Sequence, residues 1–291
     1  MKYSLYIKAV FWILLVSFFS VGNDILSRTL GDRLPAVEIV FFRFFYALIT
    51  LLPIMFYKGK ESFKTSKIYL HVIRSLMGFG AVCLWCYGLT ITQLALVTTL
   101  ALTVPIFVLP MAYIILGEKV SKIRIFATLM GFVGILVILF PNWPANLDVY
   151  SIYLFGPGVL VISAILFAGS DIINKVMVKY ENILAMLFYF ALGTTLCSVL
   201  PLMYVWIEPT LYEHLFLMLL GMGGNSILYC LLKAFSYADV SALAPYRYFE
   251  MILSIIFGYV LFSEHPTIYT IAGASIIIPV TLFLALKDKR H

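Results

Sequence analysis

Residues 93–116 read QLALVTTLALTVPIFVLPMAYIIL, twenty-four positions without a charged side chain. A helix needs about 20 such residues to cross roughly 30 Å of hydrocarbon. The stretch is therefore long enough to span a bilayer, and Gly117-Glu118-Lys119 ends it. Working outward, similar apolar runs predict helices at 7–30, 36–57, 69–88, 122–141, 153–178, 182–205, 213–234, 241–262 and 267–286. In lipid every backbone amide needs an internal partner, and runs of this length suit helices rather than the shorter alternating strands of a barrel. The expected fold is an all-α integral membrane protein of ten transmembrane helices. Composition agrees: 63% of residues are hydrophobic and 12% charged, with a mean hydropathy of +1.04. Soluble domains are roughly half apolar and a quarter charged.

Lys2 and Lys8 precede an apolar run that reaches Leu30, which is longer than a signal peptide's core and reads as the first span. Alternating the loops puts Lys58, Lys60, Lys64, Lys67, Lys119, Lys122, Arg124, Lys175, Lys179, Lys233, Lys287, Lys289 and Arg290 on the side of the two termini, and only Arg28 and Arg33 on the other. The positive-inside rule makes the lysine-rich side cytoplasmic, in a bacterial inner membrane. The net charge of +6 is thus a property of membrane-flanking loops, and no nucleic-acid partner is expected.

Gly22-Asn23-Asp24-Ile25-Leu26-Ser27-Arg28 aligns with Gly169-Ser170-Asp171-Ile172-Ile173-Asn174-Lys175, acid on acid and base on base. At nearly the same offset Leu116-Gly117-Glu118 aligns with Phe262-Ser263-Glu264, and Tyr113 with Tyr259. The expected organisation is a duplication, residues 1–150 and 151–291. Five helices per unit is an odd number, so the second repeat enters the membrane inverted, the arrangement that supports alternating access.

Leu116-Gly117-Glu118-Lys119 and the weaker Ser263-Glu264 resemble the helix-ending glutamates of the EamA-type drug/metabolite transporter superfamily, and the resemblance covers essentially the whole chain. Within it, Asn23-Asp24, Phe41-Phe42-Arg43-Phe44-Phe45, Tyr87-Gly88-Leu89-Thr90, Asp171-Ile172-Ile173-Asn174-Lys175, Leu232-Lys233-Ala234-Phe235-Ser236 and Ala244-Pro245-Tyr246-Arg247-Tyr248 look like the S-adenosylmethionine uptake carriers of intracellular bacteria. The resemblance implies ten helices in two five-helix repeats and carriage of a small molecule across the bilayer. S-adenosylmethionine is the substrate it implies, and the sequence leaves open whether it enters by exchange, with S-adenosylhomocysteine as the counter-substrate, or by gradient-coupled uptake. Carriers or exporters of other amino acid-like metabolites or drugs are the alternative reading. It supplies no residue-level binding motif.

The residues themselves nominate the site. An ionisable group in mid-membrane costs from about 2.5 kcal/mol upward, and is therefore paired or faces a cavity. Asp24 and Arg28, Asp171 and Lys175, and Arg247 and Glu250 each stand one turn apart and can pair locally. Counted along a straight ninth helix, Arg247 lies about 10 Å and Glu250 about 15 Å deep. Arg43 is embedded in the second helix, whereas Arg74 stands near a helix end where it can snorkel. S-adenosylmethionine carries a carboxylate, an ammonium, a sulfonium and an adenine. Arg247 or Arg43 suits the first, and Glu250, Asp24 and Asp171 suit the cations. Tyr246, Tyr248 or Trp85 suits the purine and the sulfonium.

Cys83, Cys86, Cys197 and Cys230 all sit in apolar runs, so they are read as packing residues; no metal site and no cofactor is expected. The four histidines are scattered, and GxSxG, HExxH and Walker A motifs are absent from the sequence, which argues against an embedded enzyme and against direct ATP hydrolysis. The expected partners are a small-molecule substrate and the lipid bilayer; such bundles can also pair as homodimers, for which no motif is seen.

Overall fold

Turn chemistry sets where the helices stop. In the computed structural model, which describes residues 2–31, 33–91, 103–139, 152–262 and 268–287, all regular elements are helical. They are α1 (Lys2–Gly31), α2 (Ala36–Lys58), a short 3-10 segment (Lys60–Phe63), α3 (Ile68–Ile91), α4 (Val104–Leu116), α5 (Lys122–Leu139), α6 (Ile152–Met177), α7 (Ile183–Leu202) and α8 (Leu211–Tyr237). A four-residue α9 (Val240–Leu243), a 3-10 turn (Ala244–Tyr248), α10 (Phe249–Phe262) and α11 (Ile268–Lys287) follow. Pro35 precedes α2 with φ −59°, the geometry a helix start favours. Gly117 closes α4 at φ +66°, a left-handed conformation that glycine adopts without a Cβ clash. Thr210 and Glu213 exchange hydrogen bonds as a capping box that starts α8.

Among the described residues seven helical stretches are long and apolar enough to cross a membrane: Leu5–Gly31, Ala36–Lys58, Ile68–Trp85, Gly158–Met177, Ile183–Leu202, Leu211–Tyr237 and Val240–Phe257. Outward faces carry exposed Phe11, Ile114, Phe126 and Leu200, as expected where the neighbour is lipid.

Packing is pairwise. α1 lies along α8, α3 along α6, and α5 along α11. α2 packs between α7 and α8, α3 also touches α7, α4 leans on α6, and α1 meets α10 and the 3-10 turn. The α2–α8 crossing is close: a Cβ on Gly221 would sit 2.6 Å from the Ala47 nitrogen and 2.8 Å from the Arg43 carbonyl. Only glycine permits that approach, and small residues commonly serve this purpose between membrane helices.

One helix departs from expectation. The ninth span is not a continuous helix over 241–262 but is interrupted by the 3-10 turn Ala244–Tyr248. Pro245 is the reason, since it has no N–H to donate backward and its ring crowds the preceding turn. The 3-10 rise of about 2.0 Å per residue also carries the following residues slightly deeper than a straight count gives.

The two ends are tied differently. At the lysine-rich end a large apolar cluster joins Ala9, Ile13 and Val16 of α1, Val104 and Val108 of α4, Ala164 and Ala168 of α6, Phe235 of α8, and Val240 and Leu243 of α9. At the opposite end Arg33 grips both oxygens of Glu213 and the Glu208 carbonyl, and Glu38 accepts from the Ile207 N–H at 3.0 Å.

Arg74 does not snorkel. It is fully buried, donates to Asn174 Oδ1 at 2.6 Å and to the Met186 carbonyl, and lies over the Phe190 ring. Because α3, α6 and α7 meet around it, its guanidinium fastens them together instead of reaching the interface.

Candidate binding cavity

Asn23 decides where Asp24 points. Its buried amide donates to the Leu220 carbonyl of α8 at 3.2 Å, so it faces that helix. The next residue is turned by about 100°, and Asp24 is exposed although it lies well inside a membrane-length helix. Four residues earlier on the same face, Ser20 donates to Glu250 Oε1 at 2.7 Å. Asp24 therefore stands one turn along α1 from the contact that brings α10 against it, within electrostatic range of Glu250 and of Arg43 from α2. The Arg43 side chain passes over Gly224 of α8, where a Cβ would be 3.3 Å from its Nε. The result is a mixed cluster of two acids, an arginine and a hydroxyl on three helices, α1, α2 and α10, with α8 packed beneath the arginine.

Arg247 lies on the 3-10 turn beside this cluster. Its Nη1 donates to Asp171 Oδ2 of α6 at 2.5 Å. The arginine side chain is 26% exposed and the aspartate 8%. Among the described contacts Nη1 alone of its donors is engaged, so Nε and Nη2 present an unused edge. A planar fork held on one side by a carboxylate and open on the other matches a second carboxylate. A small space beneath it is lined by Ile13, Val108, Asp171, Val240, Leu243 and Arg247.

Neither of two local pairings expected from spacing is made. Asp171 takes Arg247 rather than Lys175, and Lys175 Nζ donates instead to the Phe235 and Ala238 carbonyls at 2.7 and 2.6 Å, a cation on the carbonyl end of α8. Glu250 takes Ser20, with Arg247 an electrostatic neighbour. Long-range partners win because the bundle brings other helices closer than the next turn. The Arg28 side chain and Glu264 lie outside the described residues.

The aromatic candidates are mostly elsewhere. Tyr248 is fully buried and packs with Ile252 and Ile277, its ring over Gly131 of α5. Tyr246 is buried in the lysine-rich-end cluster, its hydroxyl 3.1 Å from that of Tyr6. The break at Pro245 accounts for both, since a 3-10 turn advances 120° per residue and sends the residues flanking Arg247 into packing. Trp85 is half-buried on α3, and no described contact joins it to the charged cluster.

Ser20, the donor to Glu250, has no signal in spacing, because its partner comes from an element 230 residues further along the chain. Glu118 was noted as a helix-ending acid, and its partner was hidden. Its carboxylate accepts from the Val240 and Ser241 N–H groups, both at 3.1 Å, and from the Ser241 hydroxyl at 2.7 Å. An acid at the end of α4 thus caps the start of α9, where orphan amides favour an anion.

The EamA-like transporter family matches this chain twice, over residues 7–140 and 154–286. The chain is 42% identical over 287 residues to the S-adenosylmethionine uptake transporter of Rickettsia prowazekii (strain Madrid E), covering 98% of this chain and 95% of that protein. A riboflavin transporter of Brucella anthropi is 30% identical, over 91% of this chain and 94% of its own. One solved structure, described only as a protein crystal structure, superposes with a TM-score of 0.81 at 18% identity, covering 99% of this chain and 98% of that one, which speaks to the fold alone. A multi-pass helical chain with charged side chains turned inward and both halves matching one profile belongs to the EamA-like transporter family.

Proposed function

We propose that the chain carries S-adenosylmethionine across a bacterial inner membrane by alternating access, with both termini cytoplasmic and S-adenosylhomocysteine as a counter-substrate. The observation that carries the reading is Arg247, whose free guanidinium edge stands one turn from Glu250. A guanidinium that donates and a carboxylate that accepts, one turn apart, suit the carboxylate and ammonium of an amino-acid end. The full-length relatives named for S-adenosylmethionine uptake supply the rest of the ligand.

Ten spans in two inverted repeats is the architecture that goes with it. Exchange α1 with α6, α2 with α7, α3 with α8, α4 with the α9–α10 pair, and α5 with α11. The α1–α8 contact then becomes α6–α3, α2–α8 becomes α7–α3, and α4–α6 becomes α10–α1, while α2–α7 and α5–α11 map onto themselves. Every one of these contacts occurs, as a two-fold between the repeats requires; an odd number of spans per repeat would lay that axis in the membrane plane. The double family match over 7–140 and 154–286 is independent support.

Uptake of labelled S-adenosylmethionine into proteoliposomes, with and without internal S-adenosylhomocysteine, tests the proposal. Saturable uptake accelerated by the internal compound is expected. Uptake of an unrelated solute with no competition from either compound would replace the substrate and leave the family untouched.

A further inference from the structure

We infer that Asp24 is the residue that distinguishes a sulfonium from a thioether in this cavity. The inference rests on the reading of the site as one for S-adenosylmethionine. That compound and S-adenosylhomocysteine share the amino-acid end and the adenosine; they differ by one methyl group and one positive charge on sulfur. Arg247 and Glu250 are matched to the shared amino-acid end and give no discrimination between the two.

Asp24 is placed at the difference. In either ligand two methylenes separate the α-carbon from sulfur. Ser20 holds Glu250, and Asp24 stands one helical turn, about 5.4 Å, further along the same face of α1. With the ammonium on Glu250 and the ligand extended along α1 toward Asp24, the two intervening methylenes bring the sulfur alongside that carboxylate. The side chain is exposed there, because Asn23 has taken the contact with α8.

Among the described residues the charged groups around it are Glu250 from α10 and Arg43 from α2; α8 offers it the Leu220 carbonyl and Gly223, both occupied by Asn23. A sulfonium is a fixed cation. It cannot shed its charge by losing a proton, as a buried amine can, so in a low-dielectric cavity it needs an anionic neighbour. A thioether gains nothing from that carboxylate and adds only the cost of displacing water from it.

The test measures binding of both compounds to the purified full-length protein, by displacement of labelled S-adenosylmethionine and by thermal shift. Wild type is expected to prefer the sulfonium. Asp24→Asn should weaken S-adenosylmethionine by about tenfold or more while S-adenosylhomocysteine binds as before or better, so that the ratio falls toward one. Asp24→Glu should keep the preference. Equal loss for both ligands, or no loss for either, overturns the assignment. Should Asp24→Asn not fold, wild type decides: binding the thioether as tightly as the sulfonium overturns it, and a sulfonium preference kept by Asp24→Glu supports it. Failure of the parent reading looks different, since wild type would then bind neither compound.

Discussion

Arg247 shows how one side chain can be structural and functional together. Its bond to Asp171 joins the 3-10 turn to α6, and its remaining edge is unused among the described contacts. If Asp171 only orients the arginine, Asp171→Asn should lower substrate affinity moderately while Arg247→Ala abolishes it, with folded protein retained in both. Arg247→Lys should rescue little, because an ammonium cannot engage two carboxylates in a planar fork. A purely structural pair predicts instead that each single variant loses folded protein and the double variant recovers it, leaving the other charge no longer stranded. Thermal stability and ligand affinity on the three variants and the double separate the cases, and normal affinity in folded Arg247→Ala would remove the arginine from the site. The embedded charges were legible in the sequence because each is rare against an apolar background and expensive unless used. Their partners were not. Spacing offers Lys175 to Asp171 and Glu250 to Arg247, and only the packed bundle reveals that other helices intervene.

At the scale of elements, the lysine-rich end is fastened by short polar ties between loops. Glu181, in the turn between α6 and α7, accepts from the Ser66 N–H and hydroxyl, both at 2.9 Å, and so anchors the α2–α3 loop. Burial alone would raise this carboxyl. The Ser66 donors, with the Thr65 hydroxyl, outweigh it and hold it below the ordinary carboxylate range. A depressed folded value means that the ionised form is the one the fold binds, so the stabilisation is complete above the unfolded value near 4.5 and fades as pH falls through the lower folded value. Glu181→Gln is therefore expected to melt a few degrees below wild type at pH 7, with the gap closing below about pH 4. A gap that stays constant with pH would assign the effect to lost packing. Helix lengths were close to what the apolar runs implied, within a few residues at most ends. The break in the ninth span was not, although Pro245 stood in plain view. Proline in a membrane helix is compatible with a kink, a hinge or a 3-10 turn, and the choice depends on what the freed carbonyls and flanking tyrosines find to pack against.

At the scale of the whole molecule, the proposed duplication is the reading with the widest reach, because a symmetry between repeats would constrain every helix at once. The proposed two-fold also explains why the two ends differ. A carrier built from inverted repeats is symmetric only on average, and any single conformation closes one end more firmly. Here the firmer closure is at the lysine-rich end, where α1, α4, α6 and α9 share one apolar cluster and Glu118 caps α9. Transport then requires this cluster to part. Val108 of α4 and Leu243 of α9 line the same small space beneath Arg247, on elements that the proposed motion separates. In a background with the four native cysteines replaced by alanine, Val108→Cys and Leu243→Cys can be joined by a short bifunctional thiol reagent. The joined carrier is expected to keep binding substrate from the opposite end but to lose nearly all net uptake, and a cleavable reagent should restore uptake on reduction. The unjoined double variant and each single variant treated with the reagent are the controls for simple blockage of the cavity. Full transport by the joined protein would mean that α4 and α9 stay together throughout the cycle, and the lysine-rich end would have to open along some other seam.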